Sequence, residues 1–453
     1  MKMVNREIRA GCLLLALIVI AALFAGCRKD EYLRGMDIVV GNWWSDYDVD
    51  TRVPISDMEE RTLEYRRRIQ QEHGFRMRER NIATWDQIAQ LAATSIMAGR
   101  PAAQVFILQP DRAIALLNQN LLYPVSESSA VDFTSSTPVN WNRDTIETFT
   151  FNGNTYAFSV GYGSSQGASG VFFNKRLFRE AGIDPELPYD MQRDGTWTWD
   201  VFLDLCRRLT RDSNNTGIID TFAMTADFST SILNAVVFSN GAHFVSRDAD
   251  GKFVNATGTP EFLQALQFAI RLKDEGVLLP KPENANWDWY RSFFQDGQVA
   301  MMVEEQYVAG GLRTMTDDWG FVLFPKGPSS ADYRFGTSEN VMVIPGTFSP
   351  EEVDRILYAL QLWHTPVDTD PDAWKETFYS VFRDFRAIDE TLAMIRDRRY
   401  STFRNHYIIP GLNQGDIAWS MWWWEGNPAQ LIESVSQSWD AIIAEANIIH
   451  QLD

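Results

Sequence analysis

Short apolar runs alternate along the chain with longer segments that have helical spacing. The runs MDIVV at residues 36–40 and QVFIL at residues 104–108 are typical of buried strands, and FRMRERNI at residues 75–82 looks extended. A helix is predicted between the runs at residues 36–40 and 75–82, because Ser56 and Glu59 have capping-box spacing. This alternation predicts an α/β protein with largely parallel sheets.

Several later helices are marked by a residue that favours the N-terminal cap position. These residues are Thr84 (with Gln87 at capping-box spacing), Asn174, Thr198, Thr259, Ser349 and Asn427. From about Pro350 onward the chain is predicted to be mostly helical. No internal repeat, low-complexity segment or long linker occurs, so any two lobes must be joined by short ordered segments.

The N-terminus has the pattern of an export signal. A basic start with Lys2, Arg6 and Arg9 precedes an uncharged run at residues 11–26 that ends in small residues. The run is shorter than the roughly 20 apolar residues that a membrane-spanning helix needs. Residues 1–26 are therefore predicted to be a signal peptide and residues 27–35 a tether. The alternative is an uncleaved anchor helix.

The cysteines fit that prediction. Residues 23–27, LFAGC, resemble the bacterial lipobox, which implies that Cys27 becomes the lipid-modified first residue of an exported protein anchored to a membrane of the cell envelope. Cys12 would leave with the signal peptide. Cys206 would then be alone in the mature chain without a disulfide partner, and its apolar-periodic surroundings predict a buried core thiol.

Composition and charge exclude several classes of function. A net charge of -19, from 60 acidic and 41 basic residues, repels nucleic acid and anionic lipid. No Cys/His cluster with metal-ligand spacing and no phosphate-binding loop occurs, so neither a cofactor nor nucleotide hydrolysis by this chain is expected. The 453 residues, 45% of them hydrophobic, suffice for two or three domains.

Sixteen tryptophans, many of them neighbours, are the most unusual feature of the composition. Consecutive or alternate residues cannot all face one core. Ligand contact and packing therefore both remain open for Trp43 with Trp44, for Trp287 with Trp289, and for residues 422–424. Packing is favoured for Trp197 and Trp199, which flank a predicted cap.

Two motifs suggest catalysis but lack its context. Gly163, Ser165 and Gly167 satisfy G-x-S-x-G, yet a strand-like run follows where a nucleophile elbow requires a helix, so a ligand-facing loop is favoured. Glu304 and Glu305 follow an apolar run and could act as a carboxylate pair in glycoside hydrolysis. Solvated or hinge-supporting roles are favoured for both.

Several blocks, in order, are similar to the extracellular solute-binding proteins of ABC importers, specifically the carbohydrate-binding group related to maltose-binding protein. The blocks are QVFILQPDRAIALLNQNLLYPV, GVFFNKRLFREAGID, GTWTWDVFLDLCRRLT, FFQDGQVAMM and FVLFPKGP. The resemblance implies a type II periplasmic-binding-protein fold with two hinge-connected α/β lobes. It places residues 36–145 and 299–338 in lobe 1, and residues 146–298 and 339–453 in lobe 2.

The resemblance also implies a monomer that binds a small carbohydrate between the lobes and delivers it to the permease subunits of an ABC transporter. The residues expected to contact the ligand are Trp43, Trp44, Asp46, Asp111 and Arg112 from lobe 1, Tyr162, Ser165, Trp287, Trp289, Trp423 and Trp424 from lobe 2, and Glu339 and Asn340 near a crossing segment. The loop at residues 161–170 lacks the acidic residue of some family members, which leaves the ligand type open.

Two rival functions differ in kind from transport. A surface carbohydrate-degrading lipoprotein would need two carboxylates that converge on one sugar. A sugar sensor or adhesin would bind in the same way without feeding a permease. The charged and aromatic segment at residues 370–399 has no assigned function in any of these interpretations.

Overall fold

Two separate β-sheets organise the chain, each beside its own apolar core. The computed structural model describes residues 31–161, 168–225, 229–286, 288–337, 339–368, 370–421 and 427–449. The strands are β1 (Asp37–Asn42), β2 (Arg76–Asn81), β3 (Val105–Leu108), β4 (Thr150–Phe151), β5 (Asn154–Thr155), β6 (Ser169–Asn174), β7 (Met224–Thr225), β8 (Val245–Arg247), β9 (Phe253–Asn255), β10 (Leu278–Leu279), β11 (Met301–Glu305), β12 (Trp319–Leu323), β13 (Phe335–Thr337), β14 (Val341–Val343) and β15 (Ser401–Phe403).

Helices connect these strands and form most of the C-terminal third. They are α1 (Asp57–His73), α2 (Ile88–Met97), α3 (Pro110–Leu117), α4 (Arg143–Thr148), α5 (Lys175–Glu180), α6 (Leu187–Arg193), α7 (Trp199–Leu209), α8 (Ser229–Ser239), α9 (Pro260–Asp274), α10 (Trp289–Gln295), α11 (Pro350–His364), α12 (Glu376–Tyr379), α13 (Ala393–Ile395), α14 (Gly415–Met421) and α15 (Pro428–Ile449). Shorter 3-10 turns cover Val125–Glu127, Gln306–Leu312, Ala373–Lys375 and Asn405–Ile408, and Ala387–Leu392 is π-helical.

Most predicted helix starts are confirmed. The Ser349 side chain accepts from the Glu352 backbone N–H while the Glu352 carboxylate accepts from the Ser349 N–H, which completes a capping box at α11. The Asn174 side chain likewise caps α5. The prediction at Thr84 was wrong in position, because α2 begins at Ile88 and the Thr84 hydroxyl bonds the Asp86 carboxylate instead.

The first sheet has the strand order β14-β3-β1-β2. β1 runs parallel to both β2 and β3, whereas β14 is antiparallel to β3. Ile38, Val40 and Met77 of this sheet pack with α1 and α11 in one core. This unit is the first lobe, and its parallel strands confirm the prediction for this half of the chain.

The second sheet has the order β11-β6-β12, and both of its pairings are antiparallel. The expectation of largely parallel sheets is therefore wrong for this unit, the second lobe. All six residues of the central strand β6 are buried. Burial on both faces produces a continuous apolar run whatever the direction of the neighbouring strands, so the sequence pattern could not distinguish the two.

The predicted assignment of the lobes is also corrected at two segments. Residues 299–338 were placed in lobe 1, but β11 and β12 pair with β6 in the second lobe. The chain then returns, because β14 pairs with β3 and α11 packs into the core of the first lobe. An apolar run shows that a strand is buried, whereas its sheet is decided by long-range pairing.

The predicted core thiol is confirmed. Cys206 is fully buried on the inner face of α7 among Phe202, Leu203 and Leu209. Burial raises the pKa of its thiol well above the ordinary range, so the group stays protonated and unreactive.

The segment at residues 370–399, here called the bridging segment, touches both lobes. Its Ile388 and Leu392 lie in the core of the second lobe, and the Thr391 hydroxyl bonds the Phe321 carbonyl oxygen at 2.8 Å. On its other side Glu376 forms a 2.8 Å ion pair with Arg61 of α1 in the first lobe. The lobes also meet in an apolar cluster that α2 and α3 share with residues near β9 and the end of α15.

Gly170 in β6 supplies a direct test of the second sheet. A Cβ atom there would lie 2.5 Å from the Val322 carbonyl oxygen and 2.6 Å from the Phe321 ring. Gly170→Ala is therefore expected to lower the free energy of unfolding by about 1–3 kcal/mol, measured by urea denaturation. Gly310→Ala, where a Cβ meets nothing within 4 Å, is the control. Equal stability of the two variants would contradict the antiparallel packing described here.

Candidate functional site

One edge of the first sheet collects most of the predicted ligand contacts. Trp43 and Trp44 directly follow β1, and Asp111 lies in the first turn of α3 just after β3. Because β14 runs antiparallel to β3, with Val341 opposite Leu108, the residues that precede β14 reach the same edge. Carboxyl ends of parallel strands are where α/β proteins place their ligands.

The turn after β1 presents a tryptophan to solvent. The buried Asn42 side chain accepts from the backbone N–H groups of Trp44 and Ser45, at 3.0 and 3.1 Å, and so fixes the turn. Trp43 meets Trp44 edge to face with ring centroids 4.9 Å apart. Trp44 is 43% exposed, so an indole face is available beside the sheet edge.

The Asp46 side chain contacts two residues at the end of β2. Its carboxylate accepts from the Asn81 backbone N–H at 2.8 Å and pairs with Arg80 at 3.1 Å. The Asn81 hydrogen bond, with a smaller contribution from Arg80, lowers the pKa of this carboxyl. Asp46 therefore braces the loop, and its contact with a ligand remains a prediction.

Asp111 and Arg112 behave differently from each other. Burial raises the pKa of the Asp111 carboxyl, against the opposing effect of the neighbouring Arg112. The Arg112 guanidinium lies 4.2 Å from the centre of the Trp85 ring and also donates to the Trp85 carbonyl oxygen. Trp85 is itself exposed, and sequence reasoning did not identify it as part of this edge.

A cavity of about 180 Å³ lies beside this edge, between the sheet, the end of α11 and residues 159–160. Three sequence-predicted residues, Trp44, Glu339 and Asn340, line it together. The other lining residues were not predicted. They are Val40, Glu79, Ile107, Ser159, Val160, Met342, Trp363 and His364.

In the second lobe, the predicted solvated role is wrong for Glu304, which is 1% exposed. Its carboxylate accepts from the Ser231 and Tyr290 hydroxyls, both at 2.8 Å, and pairs with Arg291 at 2.6 Å. These partners come from α8 and α10, so Glu304 ties two helices to the end of β11. Its carboxylate supports the structure of the lobe.

The adjacent Glu305 has a separate cationic partner. Arg404, whose side chain is 1% exposed, pairs with the Glu305 carboxylate at 2.7 Å. The same guanidinium donates to the hydroxyls of Tyr407 and Ser169, each at 3.3 Å. This second network lies where β6 begins and β11 ends.

The second-lobe tryptophans singled out in the sequence are either buried or outside the described residues. Trp197 and Trp199 are buried, as predicted, and the Trp197 indole donates to the Leu323 carbonyl oxygen at 2.8 Å. Trp289 was predicted to contact ligand, but it is 4% exposed and packs against Phe293 in the core, because α10 packs against β11. Tyr162, Ser165, Trp287, Trp423, Trp424 and Cys27 lie outside the described residues.

A larger cavity of about 500 Å³ lies elsewhere, beside Trp199 and Phe268. It is lined by the start of α7, by α9 and by residues 326–330. All of these belong to the second lobe, whereas the residues that line the smaller cavity belong to the first lobe. The smaller cavity is the better candidate because it adjoins the segments that lead from one lobe to the other.

The described part of the chain shows no cluster of His, Cys, Asp or Glu that could hold a metal ion. A search of the same residues for a helix of sufficient length and apolarity to cross a membrane finds none.

Two α/β lobes, with aromatic and polar groups at a sheet edge beside the crossings, define a type II periplasmic-binding-protein fold. The family model for bacterial extracellular solute-binding proteins matches residues 81–353, which is more than half of the chain. The chain therefore belongs to that family.

Individual relatives are distant in sequence. A curated relative from Brucella abortus, named only as a binding protein, is 21% identical over 385 residues, covering 80% of this chain and 84% of the relative. The cyclic alpha-maltosyl-1,6-maltose binding protein of Arthrobacter globiformis has a TM-score of 0.63 at 16% identity, with 90% of this chain and 99% of that chain covered. UgpB of Mycobacterium tuberculosis, in complex with glycerophosphocholine, has a TM-score of 0.62 at 15% identity over the same shares.

Proposed function

We propose that this protein is the membrane-anchored substrate-binding component of an ABC importer and binds a sugar or oligosaccharide between its lobes. The observation that carries the proposal is the meeting of Trp44, Glu339 and Asn340 around one cavity at the sheet edge. Indole faces pack against the C–H faces of sugar rings, while carboxylate and amide groups bond their hydroxyls. The cyclic alpha-maltosyl-1,6-maltose binding protein of Arthrobacter globiformis has the same fold, and the ligand in its name is an oligosaccharide.

The charges of the second lobe favour a neutral ligand. An anionic ligand such as glycerophosphocholine, whose phosphodiester is negative, calls for a nearby cation that it can pair with. Two arginines at the end of β11, Arg291 and Arg404, already form ion pairs with the buried Glu304 and the half-buried Glu305. A hydroxyl-rich carbohydrate needs hydrogen bonds without net charge, which this arrangement can supply.

Anchoring and transport complete the proposal. Acyl chains on Cys27 hold the protein at a membrane, and a ligand that touches both lobes shifts an existing equilibrium from open to closed. The permease subunits of the transporter then receive the ligand from a closed, monomeric protein. No covalent bond is made or broken in this cycle.

The geometry of Glu304 and Glu305 supports binding over hydrolysis. Adjacent residues of a strand point to opposite faces, and each of these carboxylates is held by its own arginine. Two carboxylates that flank a glycosidic bond must instead face each other across the sugar. This pair is therefore unsuited to that reaction.

A thermal-shift screen of the purified full-length protein tests the proposed ligand class. A ligand that binds only the folded state at 100 times its Kd adds about 2.7 kcal/mol to the stability, so at least one carbohydrate is expected to raise the Tm by several degrees. The panel includes monosaccharides, linear and cyclic oligosaccharides, polyols, amino acids and glycerophosphocholine. A shift with an amino acid or the phosphodiester, and with no carbohydrate, would overturn the proposal.

A matched pair of variants tests whether the sugar binds at the sheet edge beside Trp44. Trp44→Ala removes the exposed indole at the sheet edge and is expected to weaken sugar binding at least tenfold without changing the Tm of the unliganded protein. Phe385→Ala removes an exposed ring of the bridging segment, and its affinity should equal that of the wild type.

A further inference from the structure

Two of the polar side chains that line the cavity beside the sheet edge are available to bind a ligand. Glu79 comes from the middle of β2, and His364 is the last residue of α11. Both are half-buried and line the cavity, and neither side chain forms a hydrogen bond with the described residues. By contrast, the hydroxyl of Ser159 on the same lining already pairs with the Thr145 hydroxyl at 2.8 Å.

The apolar surroundings disfavour the charged forms of these two groups. Val40, Ile107 and Met342 form the sheet side of the cavity. Burial raises the pKa of the Glu79 carboxyl, and burial together with the charge of Arg66 lowers the pKa of His364 to about 3. The carboxyl group of Glu79 can accept hydrogen bonds from sugar hydroxyls, and the neutral imidazole of His364 can both donate to them and accept from them.

The opposite side of the cavity is rigid and aromatic. The Arg66 guanidinium lies 4.3 Å from the centre of the Trp363 ring, and its Nε donates to the Trp363 carbonyl oxygen at 3.3 Å. This contact fixes Trp363 next to His364. The volume of about 180 Å³ is below the roughly 300–1,000 Å³ of complete ligand pockets, so the cavity suits one end of a ligand.

We infer that this cavity is a terminal subsite, in which Glu79 and His364 hydrogen-bond the end hydroxyls of the bound carbohydrate and so help to determine which sugars bind. The inference rests on the proposed function, since it assigns part of the ligand contact to residues outside the loops that resemble the family. Burying unpaired polar groups is unfavourable, whereas a ligand that satisfies both groups gains affinity.

Titration calorimetry on the full-length protein tests the subsite, with maltotriose, mannotriose, cellotriose and D-glucose as probes. Glu79→Met and His364→Leu remove the hydrogen-bonding groups at similar size, and each is expected to weaken the best-bound probe about tenfold. Glu79→Gln, which keeps a donor and an acceptor, is the conservative variant and should recover most of that loss. Glu64→Gln, at an exposed position of α1, is the control.

Monodeoxy analogues of the best-bound probe separate direct contact from a structural effect. At least one analogue, deoxygenated in a terminal ring, should bind wild type and Glu79→Met equally, because the hydroxyl that met Glu79 is gone. The Tm of each unliganded variant reports whether it is folded, and His364→Leu repeats the test from a different element.

The outcomes distinguish the subsite from the proposed function. If the wild type binds a probe and both folded variants bind it equally well, the subsite is wrong while carbohydrate binding stands. If the substitution Glu79→Met lowers the affinity for every analogue as much as the affinity for the parent sugar, the effect is structural and the subsite is again wrong. If the wild type binds no carbohydrate, the proposed function fails and the subsite fails with it.

Discussion

Glu304→Met is expected to lower the free energy of unfolding by about 3–5 kcal/mol, the usual cost of breaking a buried ion pair. The substitution leaves the Ser231 and Tyr290 hydroxyls, both buried, without their acceptor, and leaves the Arg291 guanidinium without its carboxylate. Urea denaturation of the full-length protein, followed by circular dichroism, measures the change.

The control for this prediction is Glu283→Gln, at an exposed position of the second lobe whose side chain forms no hydrogen bond or ion pair with the described residues. Surface substitutions of this kind usually change stability by less than 0.5 kcal/mol. If Glu304→Met is as stable as that control, then the network at the end of β11 does not support the second lobe as described.

Acidification from pH 7 to pH 5 is expected to destabilise the protein through His364 and His406. Burial and the charge of Arg404 lower the pKa of His406 well below its ordinary value, and His364 is lowered to about 3. Below pH 6.5 the unfolded chain therefore binds more protons than the folded state does, so the free energy of unfolding decreases as the pH is lowered. At pH 5 His364 accounts for about 2 kcal/mol, and His406 contributes in the same direction.

A single variant isolates this effect from opposing groups. Burial raises the pKa of the Glu79, Asp111 and Glu305 carboxyls, and these groups add stability as the pH falls. His406→Gln removes one titrating ring, so its loss of stability between pH 7 and pH 5 should be smaller than that of the wild type. Equal losses in urea denaturation at the two pH values would show that His406 is protonated in the folded state.

Features encoded locally could be predicted from the sequence. The cap at Ser349, the strands at the two apolar runs of the first lobe and the buried thiol of Cys206 each depend on residues within one helical turn or one strand. The helix start near Thr84 was misplaced because the hydroxyl has a competing acceptor in Asp86 two residues later. Such local competition is not visible in the spacing alone.

Features that depend on distant pairing could not be predicted. The strands β11 and β12 coincide with apolar runs, but the sequence did not indicate that they flank β6 in antiparallel order. Trp289 illustrates the same limit at the site, since its neighbour spacing suggested a ligand contact while the packing of α10 buries it.

The candidate site was predicted in part. Trp44, Glu339 and Asn340 meet at one cavity, as their positions after and before strands of one edge allow. Glu79 was missed because it lies in a charged strand, RMRERN, and His364 was missed because it ends a long helix. Only the tertiary fold brings these two side chains to one cavity.

The bridging segment is attached to the two lobes by contacts of different kinds. It is held to the second lobe by buried apolar side chains, but it reaches the first lobe through ion pairs such as Arg61 with Glu376, both of which are exposed. Exposed pairs contribute only about 0–1 kcal/mol each and weaken in salt. The ion pairs between the bridging segment and the first lobe are therefore expected to weaken as the ionic strength of the surrounding fluid rises, while its apolar contacts with the second lobe persist.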